Sequence, residues 1–445
     1  LQGTNNEDLY QTVVLAGHKV NAITDIHFED VIITNTAINS GNANGGAVGS
    51  GIFSGYATIN KHLGLATETA DSLFTSAFSV ANGTPTSALY TSNHRGDGLA
   101  YLAMKWTMND DSRDTWNKFS PNNVKALVKG KEVYDPRLDT TPGANPENSA
   151  YIEYQTNPVN CLIDYLTDSN YGMGISPDKI NWPAAVTAAN GCDVTVNVPG
   201  GTEPRFTCNG VLFATDSHKK NIAKILSSMN GNLSYTNGKY VIKAGIHYPA
   251  GSLTLTEDDL AGPIALKTSL ERSDRYNTIK GLFIDPAQNH KSTEFPLVQL
   301  ADAVTRDNNE VLEKEMAFNM TNSSYMAQRL AHKLILLSSQ QQILTFPANL
   351  SAMKIAVGDR VQVTISELNW EPKEFQCLAW TFSDEGGINL TLREDSSNAY
   401  LDPDPSLNEY STITSTGDIT DAFRGVPSPS GLTGSRSESK ALLEW

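Results

Sequence analysis

The sequence predicts an α+β protein that is rich in β-strands and divided into several domains. Its 445 residues exceed what one ordinary hydrophobic core can hold, so roughly two to four domains are expected. Short stretches in which apolar and polar residues alternate recur along the chain, and this pattern is typical of half-buried strands. Between residues 157 and 229 apolar residues recur at helical spacing instead. These observations predict small β-barrel domains on either side of one compact α+β domain.

The first part of the chain predicts a β-domain that is interrupted by a long insertion. Strands are predicted at residues 10–15, 22–28 and 31–33. Residues 40–57 are rich in glycine, asparagine and serine, a composition that cannot form a helix interior. A helix within residues 62–78 and a buried strand at 99–108 follow. We assign residues 1–38 to the end of a first β-barrel domain, 39–120 to an insertion domain or long loops, and 121–150 to a returning strand and linker.

Three predicted helices and a hairpin make up the compact α+β domain, residues 151–262. Asn157 is placed to start a helix that Pro158 opens, because proline in the first helical turn loses no hydrogen bond. This helix is expected to end at residues 171–174, where glycines can adopt left-handed geometry. Two more helices are predicted at 176–190 and 217–229, and Asn237-Gly238 predicts a tight hairpin turn.

The remaining residues predict a second β-barrel domain, a linker and the start of a further domain. Residues 263–395 contain short alternating strands and one amphipathic helix, at 323–337, which we interpret as an insertion into the barrel. Residues 396–426 have the composition of a linker. Residues 427–445 look like the first strands of a fibronectin type III sandwich, which needs about 100 residues, so this domain is expected to be truncated. The first residues lack a methionine and a signal-peptide pattern, so we expect the chain to begin within a longer protein or after processing.

Charge and hydropathy exclude two functional classes. The formal net charge of −16 argues against a nucleic-acid-binding surface, which needs clustered lysine and arginine. The same charge allows DNA to pass nearby without binding specifically. The sequence contains no run of about 18 apolar residues, so no transmembrane helix is expected.

The cysteines and other reactive residues do not form a recognisable site in the sequence. The four cysteines lack the C-x-x-C spacing of a zinc site, so free thiols in a reducing cytoplasm are favoured, with a Cys192–Cys208 bridge as the alternative. Carboxylates cluster at residues 110–111, 258–259 and 402–404, but these positions have the character of capped turns and polar loops. The eight histidines are scattered, and Arg95-Gly96-Asp97 has the character of a hairpin turn. We therefore expect no enzyme, and no catalytic, cofactor or metal site.

The stretch from residue 128 to residue 174 is the most informative part of the chain. A short basic strand at 128–133 ends in Tyr134-Asp135-Pro136-Arg137. Taken locally, these residues predict a strand end with a proline turn, in which Asp135 caps the turn and Arg137 pairs nearby. Asn157-Pro158 then starts a helix and Tyr171-Gly172-Met173-Gly174 stops it.

Several segments together, in this order, resemble the phage tail-tip attachment protein J family, the central hub proteins of long non-contractile tails. The resemblance covers roughly residues 10–400 and includes segments at 14–25, 98–101, 192–193, 277 and 390–394. The family motifs match at Gly17, His18, Tyr134, Asp135, Pro136, Arg137, Asn157, Pro158, Tyr171, Gly172, Gly174, Gly358 and Asp359.

The resemblance implies a structural virion protein at the tail tip, assembled in the host cytoplasm. Such a hub is a homotrimer that closes the tail tube and contacts the distal tail protein, other tail-tip proteins and the tape measure protein. It takes part in host attachment, through downstream receptor-binding domains, and in DNA ejection, with transient contact with the host envelope. The resemblance also implies that the motif stretch lies at a junction between hub domains. The acidic balance of the chain suggests the further hypothesis of an acidic lumen.

A different functional class remains as the alternative. The strand-rich composition and the fibronectin-like end are also expected of a secreted multi-domain protein that binds or cleaves carbohydrate. A hub is expected to be trimeric without hydrolytic turnover, whereas the alternative would need an export signal.

Overall fold

The computed structural model describes residues 7–28, 31–33, 45–78, 90–116, 123–251, 253–383, 387–407, 409–411, 433–437 and 440–444. These residues form a strand-rich α+β protein built from several small sheets, and the predicted fold class is confirmed. None of its described helices is long and apolar enough to cross a membrane.

The N-terminal region is built from two antiparallel sheets that share one core. Its elements are β1 (Asp8–Ala16), β2 (Ala22–Phe28), β3 (Val31–Ile32), β4 (Gly45–Ala47), β5 (Ala57–Leu63), α1 (Ser72–Ala77), β6 (Ala100–Thr107), α2 (Arg113–Trp116) and β7 (Val124–Lys129). One sheet has the order β1-β6-β5-β4 and the other β3-β2-β7. Ile23 and Phe28 of the second sheet pack with Ile59, Leu102 and Trp106 of the first. Strands within the predicted insertion, residues 39–120, therefore complete the sheet that β1 begins.

The predicted helix within residues 62–78 is the main difference in this region. Strand β5 continues to Leu63, and α1 begins only after Asp71, whose side chain accepts a hydrogen bond from the amide of Leu73. Gly64 separates the two elements at φ +80°, and a Cβ there would lie 2.7 Å from the carbonyl oxygen of His18. The close approach of two backbones and the positive φ require glycine at this position, where β5 ends.

The central and C-terminal regions follow without a break in the order of elements. The central elements are β8 (Glu132–Tyr134), β9 (Ile152–Tyr154), α3 (Pro158–Thr167), α4 (Trp182–Asp193), β10 (Thr195–Val198), β11 (Gly201–Pro204), α5 (His218–Ser227), β12 (Asn232–Thr236) and β13 (Lys239–Lys243). They are followed by β14 (Thr254–Leu255), β15 (Ala265–Lys267), β16 (Thr278–Asp285), β17 (Lys291–Gln299), α6 (Ala301–Arg306), β18 (Glu313–Phe318), α7 (Ser324–Ser339), β19 (Ile343–Ala348), β20 (Arg360–Ile365), β21 (Trp370–Ser383), β22 (Gly387–Glu394), β23 (Thr433–Ser437) and β24 (Lys440–Glu444).

Helix α7 belongs to the core of the α+β region. Its buried residues Leu330 and Ile335 lie in one cluster with Leu162 of α3, Ala188 of α4 and Phe283 of β16. The sequence interpretation placed this helix as an insertion in a second barrel beginning at residue 263. Helical spacing predicts that α7 has an apolar face but does not identify the elements that cover it.

Within the described residues no sheet closes into a barrel, which corrects the prediction of small β-barrel domains. The largest sheet has the order β14-β20-β21-β22-β19-β15, and its two outer strands are not paired with each other. Phe346, Val361, Phe375 and Leu390 fill the core on one face of this sheet. Alternating residues indicate which face of a strand is buried, whereas closure depends on pairing between the first and last strands.

The C-terminal part is described only in pieces. Ala399, Pro403 and Tyr410 of the predicted linker are buried against the rest of the chain, and residues 408 and 412–426 of the linker lie outside the described ones. Within the predicted fibronectin type III segment, β23 and β24 form an antiparallel hairpin. Residues 427–432, 438–439 and 445 lie outside the described residues, so that domain remains a prediction.

Candidate functional site

Most of the motif residues on which the resemblance rests lie where the chain passes from the N-terminal sheets into the α+β region. Gly130 and Lys131 separate β7 from β8, so the strand predicted at residues 128–133 is two strands in different sheets. We call the surrounding residues 17–21, 130–137 and 157–174 the junction.

Lys131 is the central cation of the junction. Its ammonium group lies 2.8 Å from Asp164 Oδ1 and 2.9 Å from Asp168 Oδ2, and it is 4.8 Å from the centre of the Tyr171 ring. Burial opposes charge on Asp168, but the hydrogen bonds from Lys131 and from backbone amides keep its pKa below the ordinary value. Burial and the charge of Asp164 raise the pKa of Tyr171, so this hydroxyl stays protonated and donates to Asp164. One lysine thus fixes the end of α3 to the start of β8.

The turn that contains Gly17 and His18 closes over the same place. Lys19 Nζ lies 2.8 Å from Glu132 Oε2, and Asn21 Nδ2 donates to Glu132 Oε1 at 3.0 Å. The His18 ring is 5.8 Å from the Tyr171 ring. The hydrogen bonds from Lys19 and Asn21 lower the pKa of Glu132. The loop between the first two strands is therefore held against the α+β region.

Tyr134-Asp135-Pro136-Arg137 forms the turn that the local interpretation predicts, with a further partner. The Arg137 guanidinium donates two hydrogen bonds to the Asp135 carboxylate, from Nε to Oδ1 at 2.8 Å and from Nη2 to Oδ2 at 2.6 Å. The backbone amide of Arg137 also donates to Asp135 Oδ1. Its Nη1 lies 2.6 Å from Asp193 Oδ2 at the end of α4. The hydrogen bonds to Asp135 outweigh desolvation and raise the pKa of Arg137. Pro136 is buried in the same turn. Because Arg137 contacts Asp193 at the end of α4, the turn fixes α4 to β8.

The long loop after Asp139 is anchored by Tyr134. The Tyr134 hydroxyl donates to Asp139 Oδ2 and accepts from the Gly143 amide, both at 2.8 Å. Its ring meets Trp182 edge-on at 5.8 Å. Gly143 has φ +84°, and a Cβ there would lie 2.1 Å from Trp182 Nε1, so only glycine fits between the loop and α4.

Helix α3 connects the two ends of the junction. Asn157 Oδ1 accepts from the Val159 amide and Asn157 Nδ2 donates to the Ala189 carbonyl, each at 3.0 Å, so this residue caps α3 and fixes it to α4. Pro158 lies in the first turn, as predicted. The helix ends at Thr167, earlier than expected, because Asp168 is extended.

The two glycines that follow α3 have different reasons to be glycine. Gly172 returns so close to α3 that a Cβ would lie 2.0 Å from the Tyr165 carbonyl oxygen, and no left-handed φ is involved. Gly174 has φ +62°, and its amide donates to the Asp168 carbonyl at 2.9 Å. Left-handed geometry was expected of both and is found at Gly174 only.

Gly358 and Asp359 lie apart from the junction, at the start of β20. Lys243 Nζ at the end of β13 lies 2.8 Å from the Gly358 carbonyl oxygen and 2.9 Å from Asp359 Oδ1. These residues fix the six-stranded sheet to the α+β region. All the other predicted motif residues lie in the junction.

The residue groups considered for chemistry are engaged in structural contacts. Asp259 caps the Thr256 turn, as the sequence interpretation expects, and Asp110 pairs with Arg113. All four cysteines are free thiols, so Cys192 and Cys208 are not bridged. In the described part of the chain, no group of histidine, cysteine and carboxylate side chains could hold a metal ion.

Sequence reasoning missed a buried ion cluster formed by Arg205, Arg329, Lys333 and Asp402. Asp402 was assigned to a linker, and the prediction of α7 rested on its apolar residues without using its two cations. The available signal was that Arg329 and Lys333 lie one turn apart, each directly before a leucine of the apolar face.

The chain is similar in sequence to a phage protein of known role and in fold to a chain of a virion particle. No family model matches the chain. The chain is 23% identical over 390 residues to the baseplate hub protein pb3 of Escherichia phage T5, covering 80% of this chain and 39% of that protein. It therefore spans about two fifths of the length of this relative.

Among solved structures, a chain of the virion of a native gene transfer agent particle aligns with a TM-score of 0.56 at 11% identity, over 90% of this chain and 81% of that one. The 43 kDa tail protein of prophage MuSo2 from Shewanella oneidensis aligns with a TM-score of only 0.32, at 11% identity over 71% and 76% of the two chains, and carries no argument. The hub relative supports a structural protein of phage tails, and the gene transfer agent chain shows a shared fold.

Proposed function

We propose that this chain is part of the central hub of a phage tail tip, of the tail-tip attachment protein J type. The similarity to a baseplate hub protein over 390 residues is the observation that carries the proposal. The hub is a homotrimer that closes the tail tube, and its role is structural rather than catalytic.

The contacts of the junction suit a protein whose function is mechanical. Lys131, Glu132 and Arg137 each form charged contacts with an element outside their own strand or turn, so the N-terminal sheets, α3 and α4 are held in one arrangement. A hub must keep its domains in register while neighbouring proteins pull on it. Charge-assisted hydrogen bonds provide directional, short contacts of this kind.

The proposed partners are the distal tail protein, other tail-tip proteins and the end of the tape measure protein. Receptor engagement through further domains shifts the hub from closed to open, and DNA leaves along the axis. The net charge of −16 suits a lumen that DNA passes without binding. Fibronectin type III character at the C-terminal end belongs to the same proposal.

Imaging of assembled particles tests the proposal. We expect this chain as a threefold ring at the tail end, with particles of an Asp135→Asn variant showing defective tips because the buried fork to Arg137 is lost. Asp178→Asn is the matched control, since Asp178 pairs with Lys179 at a largely exposed position. A soluble monomer that binds or cleaves carbohydrate would overturn the proposal in favour of the secreted alternative.

A further inference from the structure

Residues 395–407 and 409–411 run from the six-stranded sheet past α7 to the β10–β11 hairpin, and we call these residues the strap. Its first attachment is to the sheet. Asp395 pairs with Arg360 of β20, and the two side chains are 3% and 2% exposed. The Arg360 guanidinium also lies 4.6 Å from the centre of the Tyr400 ring. This end of the strap is thus buried and fully paired.

The second attachment joins the strap to two elements of the α+β region. Asp402 Oδ2 lies 2.8 Å from Arg205 Nε, just after β11, and Asp402 Oδ1 lies 2.9 Å from Lys333 Nζ of α7. Lys333 is 1% exposed and its ammonium lies 5.0 Å from the centre of the Phe206 ring. Desolvation lowers the pKa of Lys333 to about 8, against the attraction of Asp402.

The third attachment lies at the far end of the strap. Arg329 Nη1 donates to the Tyr410 hydroxyl at 3.1 Å, and the Tyr410 ring meets Tyr325 edge-on at 5.6 Å. The Gln328 side chain donates to the Ser411 carbonyl and accepts from the Ser411 amide, both at 2.8 Å. Because the Gln328 amide pairs with both backbone groups of Ser411, it fixes the orientation of the backbone at that residue.

The charges of this site depend on the strap. Among the described residues, ion pairs join three cations (Arg205, Arg329 and Lys333) to two carboxylates, Glu203 and Asp402. Glu203 lies on β11, so Asp402 is the carboxylate that the strap contributes. If the strap leaves, Lys333 and Arg205 keep their positions but lose their anion. Buried charges without partners are strongly unfavourable, so the strap and the cations favour each other's position.

We propose that the strap is a releasable latch, held closed by Asp402, that couples the chain after residue 411 to the packing of α7 and β11. Release leaves Lys333 and Arg205 unpaired and loosens the contact of α7 with the hairpin. That a force from domains beyond residue 411 opens the latch rests on the proposed function. The latch itself does not depend on it.

Hydrogen exchange of the full chain tests the latch. In Asp402→Asn, we expect amides of residues 401–411 to exchange at least tenfold faster, with a smaller increase in α7 and no change in β6. Asp404→Asn is the matched control, because Asp404 Oδ1 accepts from the Ser406 amide within the strap itself. Asp402→Asn combined with Lys333→Met removes both charges and is expected to recover most of the lost protection.

Two results would overturn the latch. Unchanged exchange in the strap of Asp402→Asn means that Asp402 does not hold it. Faster exchange throughout the chain, β6 included, means that the strap is an inseparable part of the fold. Particles that carry Asp402→Asn provide a separate test of the hub role: they are expected to lose infectivity on storage by premature opening. Normal particles with a loosened strap would count against the hub role and leave the latch intact.

Discussion

Two lysines in this protein have similar partners but different surroundings. Lys131 in the junction lies between two aspartates and 4.8 Å from a tyrosine ring, and Lys333 under the strap lies beside one aspartate and 5.0 Å from a phenylalanine ring. Their side chains are 29% and 1% exposed. Solvent near Lys131 screens its charges and can replace lost partners, whereas Lys333 has been moved out of water. We therefore expect the attachment by Lys131 to be moderate and salt-sensitive, and the attachment by Asp402 to be stronger and less sensitive to salt.

The largest expected difference follows from removal of one aspartate at each place. Asp402→Ala should lower the local opening free energy of α7 by about 3–5 kcal/mol, because the buried Lys333 and the partly buried Arg205 lose their anion. Asp164→Ala should cost only about 1–2 kcal/mol, since Asp168 remains beside Lys131. Native-state hydrogen exchange measures both values without assuming two-state unfolding. Equal losses would remove the distinction between the two attachments.

Close packing at the junction gives the next largest effect. Gly172→Ala should destabilise α3 by about 1–3 kcal/mol, because the new Cβ would overlap the Tyr165 carbonyl oxygen. Gly130→Ala is the matched control, since a Cβ at Gly130 has no described atom within 4 Å. Denaturant unfolding of the two variants, monitored through the loss of helix content, measures the difference in their stability. A neutral Gly172→Ala would mean that the return of the chain over α3 is adjustable.

The local parts of this architecture follow from sequence, because their signals lie within a few residues. Asn157 and Pro158 predict the start of α3, and both take the cap and first-turn positions. Asn237 and Gly238 predict a hairpin, and both have positive φ between β12 and β13. The conformational preferences of these residues themselves predict the cap and the turn.

The parts that were not predicted depend on residues far apart in sequence. Asp402 stands in a proline- and aspartate-rich stretch that resembles a linker, and nothing within that stretch points to Arg205 or Lys333. The apolar face of α7 is visible in the sequence, but its neighbours β16 and β17 are not. Likewise, alternation predicts the strands of the largest sheet but not that its outer strands stay apart. Pairing over long separations has no local signature.

Replacing the lysines themselves should sharpen the comparison. Lys131→Met leaves Asp164 and Asp168 without their shared cation, and about 1–2 kcal/mol should be lost at low salt and less in 0.5 M salt. Lys333→Met leaves Asp402 paired with Arg205 and should be neutral or slightly stabilising at pH 7. The two changes therefore have opposite expected signs. Hydrogen exchange of α3 and α7 at two salt concentrations reports both, and a loss at α7 as large as that at α3 would contradict the interpretation.

The smallest effect is the pH dependence of Lys333, and its sign follows from the direction of its shift. Desolvation lowers the pKa of Lys333 from 10.5 to about 8, so between these values the unfolded chain binds more protons than the folded one. Stability from this group therefore rises with pH above about 8, by at most about 1.4 kcal/mol per pH unit and by about 1 kcal/mol at pH 9. The comparison is the stability of the wild type minus that of Lys333→Met from pH 7 to 9.5, since tyrosine ionisation then cancels between the two proteins. The difference should stay flat below pH 8 and increase above it. A difference that stays flat throughout would mean that the Lys333 ammonium is as well solvated as an exposed one, which would make the two lysines equivalent.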